Sequence, residues 1–594
     1  MKRLNEIHKC LSSLAIAGYL FVMILHIVHL LEPVYLITIN RVTILQRASP
    51  FIISPSLDVL LLLPGITTFS IMSLRTRPAL KALIKYTIPL ICLTLLTWWL
   101  PKIYALVTGI LSILVFVYQA HKFDVLEELL CYFMIIYLGL EVLALSHWIL
   151  ISIVPLEVKN PLSGPVPLET GVFYTLHKLS IALIIILIYM WLFRKILIPL
   201  TRIRGIKITK KGISLIMRTS EERLLAHKEY KRNKISLLIA TIVSSILSLY
   251  PYSPAINPNN SPVTVDIIYY SRWLSEMKDN PWQKAFILSS GSRPIVLLLL
   301  YLIEKLIDTN YLVITHILLS LAIITYPLVT YYLVRKWRFE ITAMAVMIAP
   351  LSIYTLVGIY AGYHANLLAL NLAYVGQSLF IEILEERSVR RATIVAILLI
   401  VVALSHTWTW QMSIAVMAVY LVLSVIKHKV NFKRGTLVFL QVTAPSVLVD
   451  LARSIAVKSL PGVSIGYRTL SSSLSFDNLM LLGQNLSFAL NILVGGYTAN
   501  WLLYTLAVIG ALALNYENPL DRLLDSWLIT TSIPFLFSNA TIQSRLILNL
   551  PLHILAAKGL YQLTWNKSYG KVLTTVVFFV LTTHTLRSLA NMIP

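Results

Sequence analysis

Charge and cysteine are what this chain has least of. Asp, Glu, Lys and Arg make up 13% of its 594 residues, against 57% hydrophobic, and the mean hydropathy is +0.78. No water-soluble globule of this length can hide so much apolar side chain, so a soluble fold is excluded and an all-α, polytopic integral membrane protein is expected. The three cysteines, Cys10, Cys92 and Cys131, all fall in the first quarter, in or beside apolar runs. That spacing argues against a disulfide framework and a thiolate metal site, and they read as packing residues. Acids are the scarcer charge, 26 against 50 Lys and Arg, for a formal net charge of +24. In a soluble domain such an excess would suggest nucleic acid. Here most of the cations sit in short connections between apolar runs, where they orient helices and meet anionic lipid, so the bilayer and not nucleic acid is the expected partner. Also missing are a P-loop, a GxGxxG after a strand, an HExxH and a CxxC pair, which argues against ATP bound by this chain as its energy source. Little Cys with abundant Ile, Leu, Tyr and Lys/Arg suits an archaeal or thermophilic prokaryote.

A spanning helix needs roughly 20 apolar residues. That window predicts six spans near residues 11–31, 56–73, 85–100, 103–120, 127–153 and 173–193. The opening MKRLNEIHK and its apolar run lack a small-residue cleavage site and read as the first of these spans. Residues 194–234 then carry 13 Lys or Arg and no long apolar run, a cytoplasmic linker and domain boundary by the positive-inside rule. Beyond it, spans are predicted near 235–250, 311–334, 340–357, 366–383, 391–406, 409–426, 436–456, 498–514, 525–538, 545–562 and 572–590. The whole chain then holds about 17 transmembrane helices: a six-helix unit over 1–193 of unassigned role, and a second module over 235–594. Cations mark alternate connections of that module (Arg387, Arg390, Arg391; Lys427, Lys429, Lys433, Arg434; Lys567, Lys571), while 358–366 and 405–410 carry none. The N-terminus and 194–234 are thereby placed in the cytoplasm, and the loops 251–310 and 456–497 outside the cell membrane.

The first of those loops opens with the longest polar passage of the module, Pro251 to Pro294. Asp266, Tyr269, Tyr270, Trp273 and Met277 follow one another at helical spacing, so a helix starting near Thr264 would carry an acid, aromatics and Met on one stripe. The apolar PIVLLLLYLIEKLI at 294–307 is short for a span and ends in charge, and reads as a helix lying on the membrane surface.

Ionisable groups are costly near hydrocarbon and tend to face a cavity or a partner. On the outward side these are Asp266, Arg272, Arg293, His364, His406, Arg468 and Arg545. A carboxylate able to take a proton from a hydroxyl, with Arg or His able to hold a phosphate, is the minimum for sugar transfer from a lipid phosphate.

The layout of 235–594 resembles the GT-C superfamily of integral membrane glycosyltransferases. The resemblance rests on a basic start, a span, an outward loop with VDIIYYSRW, the helix GSRPIVLLLLYLIEKL leading to a span that ends RKWR, and the late SRLILNLPLHILAAKGL. It implies transfer of a sugar from a polyprenyl- or dolichyl-phosphate donor to a glycan, lipid or protein acceptor on the extracytoplasmic face. Asp266 would be the catalytic base or the metal-binding acid, and Arg545, with Arg293 and Arg468, would bind the donor phosphate. His364, His406, Tyr269, Tyr270 and Trp273 are candidate acid or substrate contacts. A divalent cation, Mg or Mn, on Asp266 is left open as a cofactor. The chain departs from the protein O-mannosyltransferases, whose acids are paired, and from oligosaccharyltransferase catalytic subunits, having no WWDxG and no C-terminal soluble domain.

Each residue has a plainer reading beside this one. Asp266 could merely complement a helix dipole, the aromatics could belong to an interfacial belt and Arg545 could snorkel. His26, His29, His147 and His177 could hold haem or a transition metal, or simply face headgroups. Asn259, Asn485 and Asn539 open glycosylation-type triplets. As classes, a transporter or lipid flippase, a haem or quinone redox subunit and a non-catalytic scaffold stay open. No internal repeat supports the transporter, and neither does the near absence of charge inside the predicted spans of the second module.

Overall fold

The computed structural model describes residues 222–458 and 501–590 apart from short gaps (254–256, 259–261, 265, 308, 387 and 566–569), a few positions between 475 and 481, and scattered positions before 166. Most of the N-terminal unit lies outside the described residues, as do His26, His29, His147, His177 and Arg468. What is described there includes two antiparallel ribbons: β1 (Tyr35–Ile39) with β2 (Val42–Gln46), and β3 (Lys159–Asn160) with β4 (Gly164–Pro165). The helical class expected from composition holds where the chain is described, and the two small hairpins, which fall between the predicted spans 11–31 and 56–73 and between 127–153 and 173–193, are the departure from it.

The second module is wholly helical where it is described. Among the described residues, six helical stretches are long and apolar enough to cross a membrane, or seven when one bent pair counts as a span. The first is α1 (Glu222–Leu249), followed by three short helices, α2 (Ile267–Glu276), α3 (Pro281–Leu288) and α4 (Pro294–Leu306). Then come α5 (Tyr311–Arg335), the pair α6 (Thr342–Ile348) and α7 (Ile353–Val357), α8 (His364–Glu385), α9 (Val389–Ser405), α10 (Thr407–Ile426) and α11 (Phe432–Lys458). The C-terminal part holds α12 (Trp501–Leu512), α13 (Pro519–Phe537), α14 (Ala540–Asn549), α15 (Leu552–Thr564) and α16 (Gly570–Ala590).

Polar residues between the apolar runs set where these helices begin. Asn280, Asn310, Ser388, His406, Asn518 and Asn539 each accept a backbone N–H of the following first turn, satisfying donors that a helix start leaves without partners. Asn539 is thus a helix cap here. Proline breaks others: Pro350 interrupts 339–362, and Pro551 separates α14 from α15 at a bend of 50°.

The stretch 339–362 lies innermost, with 89% of its apolar window buried, and α1 is peripheral at 28%. On α1 the exposed residues Ile235, Leu238, Ile242, Ile246 and Leu249 repeat at helical spacing, the pattern of a lipid-facing side. α12 and α15 cross so closely that a Cβ on Gly510 would meet the Leu555 carbonyl, and one on Gly559 the Leu506 carbonyl. Small residues let helix backbones approach this way where lipid supplies no hydrophobic drive. The helices of the 251–310 loop carry a core of their own: Tyr270, Leu274, Met277, Ala285, Val296, Leu297 and Leu300, closed by Ile314 and Leu318 of α5 and by Ala365.

Candidate active site

The predicted helix starting near Thr264 starts instead at Ile267, with Asp266 as its N-cap in an αR conformation and no side-chain cap hydrogen bond. The single stripe also divides. Tyr270 and Met277 are buried, whereas Tyr269 is 59% exposed and points away from them. One turn after Met277 a separate helix, α3, begins, because Asn280 and Pro281 form a cap and first turn of their own.

Three anchors place Asp266. Its backbone N–H donates to the Ala361 carbonyl at 3.2 Å, the buried Thr264 hydroxyl donates to the Ile359 carbonyl at 2.8 Å, and Tyr252 Oη donates to Thr264 Oγ1 at 3.3 Å. Ile359 and Ala361 belong to a π turn, Gly358–Gly362, between α7 and α8. Such turns free carbonyls from the regular ladder, and here two of them hold the acid's loop. Gly362 closes the turn at φ +76°, and a Cβ there would stand 2.4 Å from Thr264 Cγ2 and 3.1 Å from Asp266 Cβ.

Arg293 arrives from the other side as N-cap of α4. Its Nη1 donates to Tyr270 Oη at 2.8 Å, and its guanidinium lies over the rings of Tyr270 and Trp273 at 5.8 and 5.7 Å. Its Nε is buried without a hydrogen-bond partner. Tyr270 packs edge-on against Trp273 and, at 4.6 Å between centroids, against His364. Arg545, on α14, makes no hydrogen bond or ion pair with any described residue, and neither does the Asp266 carboxylate.

Electrostatics bind these groups into one locale. Burial holds the Asp266 carboxyl above its ordinary value, and Arg293 and Arg545 pull in the opposite sense. Burial first, then the same two guanidinium groups, push the His406 imidazole well below its ordinary value. His406 is therefore neutral at physiological pH. Its Nδ1 accepts the Thr409 N–H at 3.3 Å, with the Thr409 hydroxyl 2.8 Å from the same nitrogen. Thr409 Oγ1 in turn donates to Asn366 Oδ1 at 2.5 Å, and Asn366 Nδ2 to Asn549 Oδ1 at 3.1 Å. This chain of side chains ties the starts of α8 and α10 to the end of α14, the helix that carries Arg545. His364 is fully buried with its ring nitrogens 2.5 and 3.0 Å from the Gly362 and Thr315 carbonyls, which fits a structural pin.

The structure thus brings together Asp266, Tyr270, Trp273, Arg293, His364, His406 and Arg545, and leaves Tyr269 on the outside. Arg272 is a surface residue paired with Glu276. The sequence does not single out Gly362, Asn366, Thr409 or Asn549, and offers Thr264 only as the start of a helix. Their only signal there is that polar or small residues interrupt the ends of apolar runs. The described residues contain no group of three or more His, Cys, Asp or Glu side chains able to hold a metal ion. Asp266 lies within the electrostatic influence of two cations and, among the described residues, of no second acid, so these residues do not fit a divalent cation held by the protein.

No protein-family model matches the chain. No curated relative matches it either. Among solved structures it is similar to the crystal structure of ArnT from Cupriavidus metallidurans bound to undecaprenyl phosphate, with 12% sequence identity and a TM-score of 0.38, over 60% of this chain and 77% of that one.

Proposed function

We propose that the module over 235–594 is a membrane glycosyltransferase that moves a sugar from a polyprenyl-phosphate donor to an acceptor at the extracytoplasmic face. One observation carries the reading. A half-buried carboxylate and two guanidinium groups share one locale at the same end of the helices, yet Asp266 pairs with neither Arg293 nor Arg545. Charges withdrawn from water are costly when unpaired. Their persistence here favours a ligand that carries both a hydroxyl and a phosphate.

In this mechanism the donor phosphate lies against Arg545 and Arg293. Asp266 takes the proton from the acceptor hydroxyl or amide as that group bonds to the anomeric carbon, while the bond from that carbon to the phosphate oxygen breaks. The leaving phosphate keeps the electron pair. The two guanidinium groups stabilise its growing charge, and such fixed electrostatic stabilisation supplies the largest share of the acceleration in transfers of this kind. A carboxylate whose proton affinity is raised by burial is a better base than a solvated one. Trp273 and Tyr270 hold Arg293 in place, and the partly exposed Trp273 ring offers a surface to the sugar. The helix count of about 17 and the placement of 251–310 outside belong to the same proposal.

Asp266→Asn tests it. Membranes containing the full chain and a radiolabelled polyprenyl-phosphate sugar should lose transfer of label out of the donor lipid by at least a hundredfold, at equal protein level. Undiminished transfer by that variant would remove Asp266 as the base.

A further inference from the structure

The turn that delivers Arg293 is held from behind by a buried ion pair on α11. After α3 the chain reverses through Ser290 at φ 49° and Gly291 at φ 67°. Gly291 N–H donates to Phe286 O at 2.7 Å, and Ser292 N–H to Ser289 O at 2.9 Å, so the amides of the turn are satisfied within the loop. The Gly291 carbonyl points outward from the loop and accepts Arg453 Nη1 at 2.7 Å. Two further donors of Arg453 go to one carboxylate oxygen: Nε at 3.1 Å and Nη2 at 2.5 Å from Asp450 Oδ1. Both side chains are buried, 7% and 9% exposed. Gly291 is pressed so closely on α11 that a Cβ would lie 2.4 Å from Val457 Cγ2.

A buried ion pair adds little net stability over an apolar pair of the same size, so its presence on α11, whose other buried residues include Val438, Val442 and Val457, calls for another reason. Geometry supplies one. Arg453 fixes the carbonyl two residues before Arg293, Tyr270 Oη fixes the Arg293 guanidinium, and the rigid turn between them leaves Arg293 one position. We propose that Arg453, oriented by Asp450, is a positioning residue for Arg293. It sets the guanidinium for the donor phosphate without touching it. The proposal rests on the reading of Arg293 as a phosphate ligand, and its test separates the two.

Two measurements on the full chain in nanodiscs make that separation: affinity for undecaprenyl phosphate, and the emission of Trp273, taken as the difference between each protein and its Trp273→Phe counterpart. Arg293→Ala and Arg453→Ala should alter the Trp273 emission alike and weaken binding at least fivefold. The double variant should bind no more weakly than Arg293→Ala alone, because the second change removes a support for a group already gone. Arg453→Lys keeps the charge but cannot serve Asp450 and Gly291 together, and should resemble Arg453→Ala. Gly291→Ala approaches the same turn without touching the ion pair. It should reproduce the loss, and Val457→Ala, which removes the obstructing methyl, should restore part of it. Wild-type emission and affinity in a folded Arg453→Lys protein would overturn the proposal, as would additive losses in the double variant. If Arg293→Ala leaves binding intact while both variants change the Trp273 emission, the positioning stands and the phosphate reading falls.

Discussion

The backbone N–H of Asp266 donates to the carbonyl of Ala361 across 95 residues of chain, at 3.2 Å. The acid is thus hung on the π turn between α7 and α8, and everything that fixes that turn also fixes the carboxylate.

Gly362→Ala should therefore damage the site from a distance. The new methyl would need the space of Thr264 Cγ2, and φ +76° is strained for alanine. A cost of about 1–3 kcal/mol shared between strain and displacement of Asp266 should appear as a transfer rate at least tenfold lower, with expression close to wild type. Assays of the variant beside Thr264→Ser, which keeps the hydroxyl on Ile359 and removes the crowding methyl, check this. Thr264→Ser should be near normal, and Gly362→Ala/Thr264→Ser should recover part of the loss.

Proton affinity at Asp266 gives a pH prediction. The carboxyl sits above its ordinary value because burial outweighs Arg293 and Arg545. A base must be ionised, so transfer should rise with pH through a limb lying above the usual carboxylate range. Arg545→Gln removes one of the two opposing charges, so that limb should move to higher pH while the maximal rate falls. A limb that moves to lower pH would contradict the geometry.

The same shift fixes the sign of a stability effect. A carboxyl with a higher proton affinity folded than unfolded favours folding most at low pH, and that contribution is lost as pH rises from the unfolded value through the folded one. Above the folded value the ionised group is a net cost. Asp266→Asn, uncharged at all pH, should therefore unfold at the same or a higher temperature than wild type near neutral pH while abolishing transfer. Thermal unfolding in detergent at neutral pH checks it.

His406 is neutral and caps α10 through Nδ1. His406→Asn preserves a side-chain acceptor at the cap and should keep transfer within about threefold, whereas His406→Ala should lose about 0.5–2 kcal/mol of stability. No titration with a midpoint near 6.5 should be traceable to this ring, which a comparison of the pH profiles of wild type and His406→Asn would reveal.

At the crossing of α12 and α15 the prediction concerns stability alone. A Cβ on Gly510 or Gly559 would meet a backbone carbonyl oxygen at 1.9 Å, which no rotamer change relieves. Either Gly→Ala variant should cost roughly 1–3 kcal/mol or more by forcing the helices apart, read as a lowered unfolding temperature, and the double variant should cost less than the sum because one separation serves both.

Length and apolarity alone placed the helices of the second module, because bilayer thickness sets how many apolar residues a span must have, whatever it packs against. The predicted spans at 366–383, 391–406 and 409–426 fall within two residues of α8, α9 and α10. Cation placement likewise marked out Asp266, Arg272, Arg293, His364, His406, Arg468 and Arg545 as outward groups; of these, Arg272 lies on the surface beside Glu276 and Arg468 lies outside the described residues. Periodicity failed where the chain's own polar groups made local structure: Asp266 fell outside its helix as the N-cap, Met277 became the C-cap, and Tyr269 turned outward. Sequence spacing also gave no sign that Ala361 would hold Asp266, or that Arg453 would reach Gly291 162 residues away. Those contacts depend on which helix ends meet, a matter of packing between distant segments. Composition and the bilayer determined that this is a helical membrane protein and where its helices run. Only the tertiary structure decided which acid lies close to which two arginines while pairing with no described residue, because a hydrogen bond or an ion pair is set by distances of a few ångström that no one-dimensional pattern encodes.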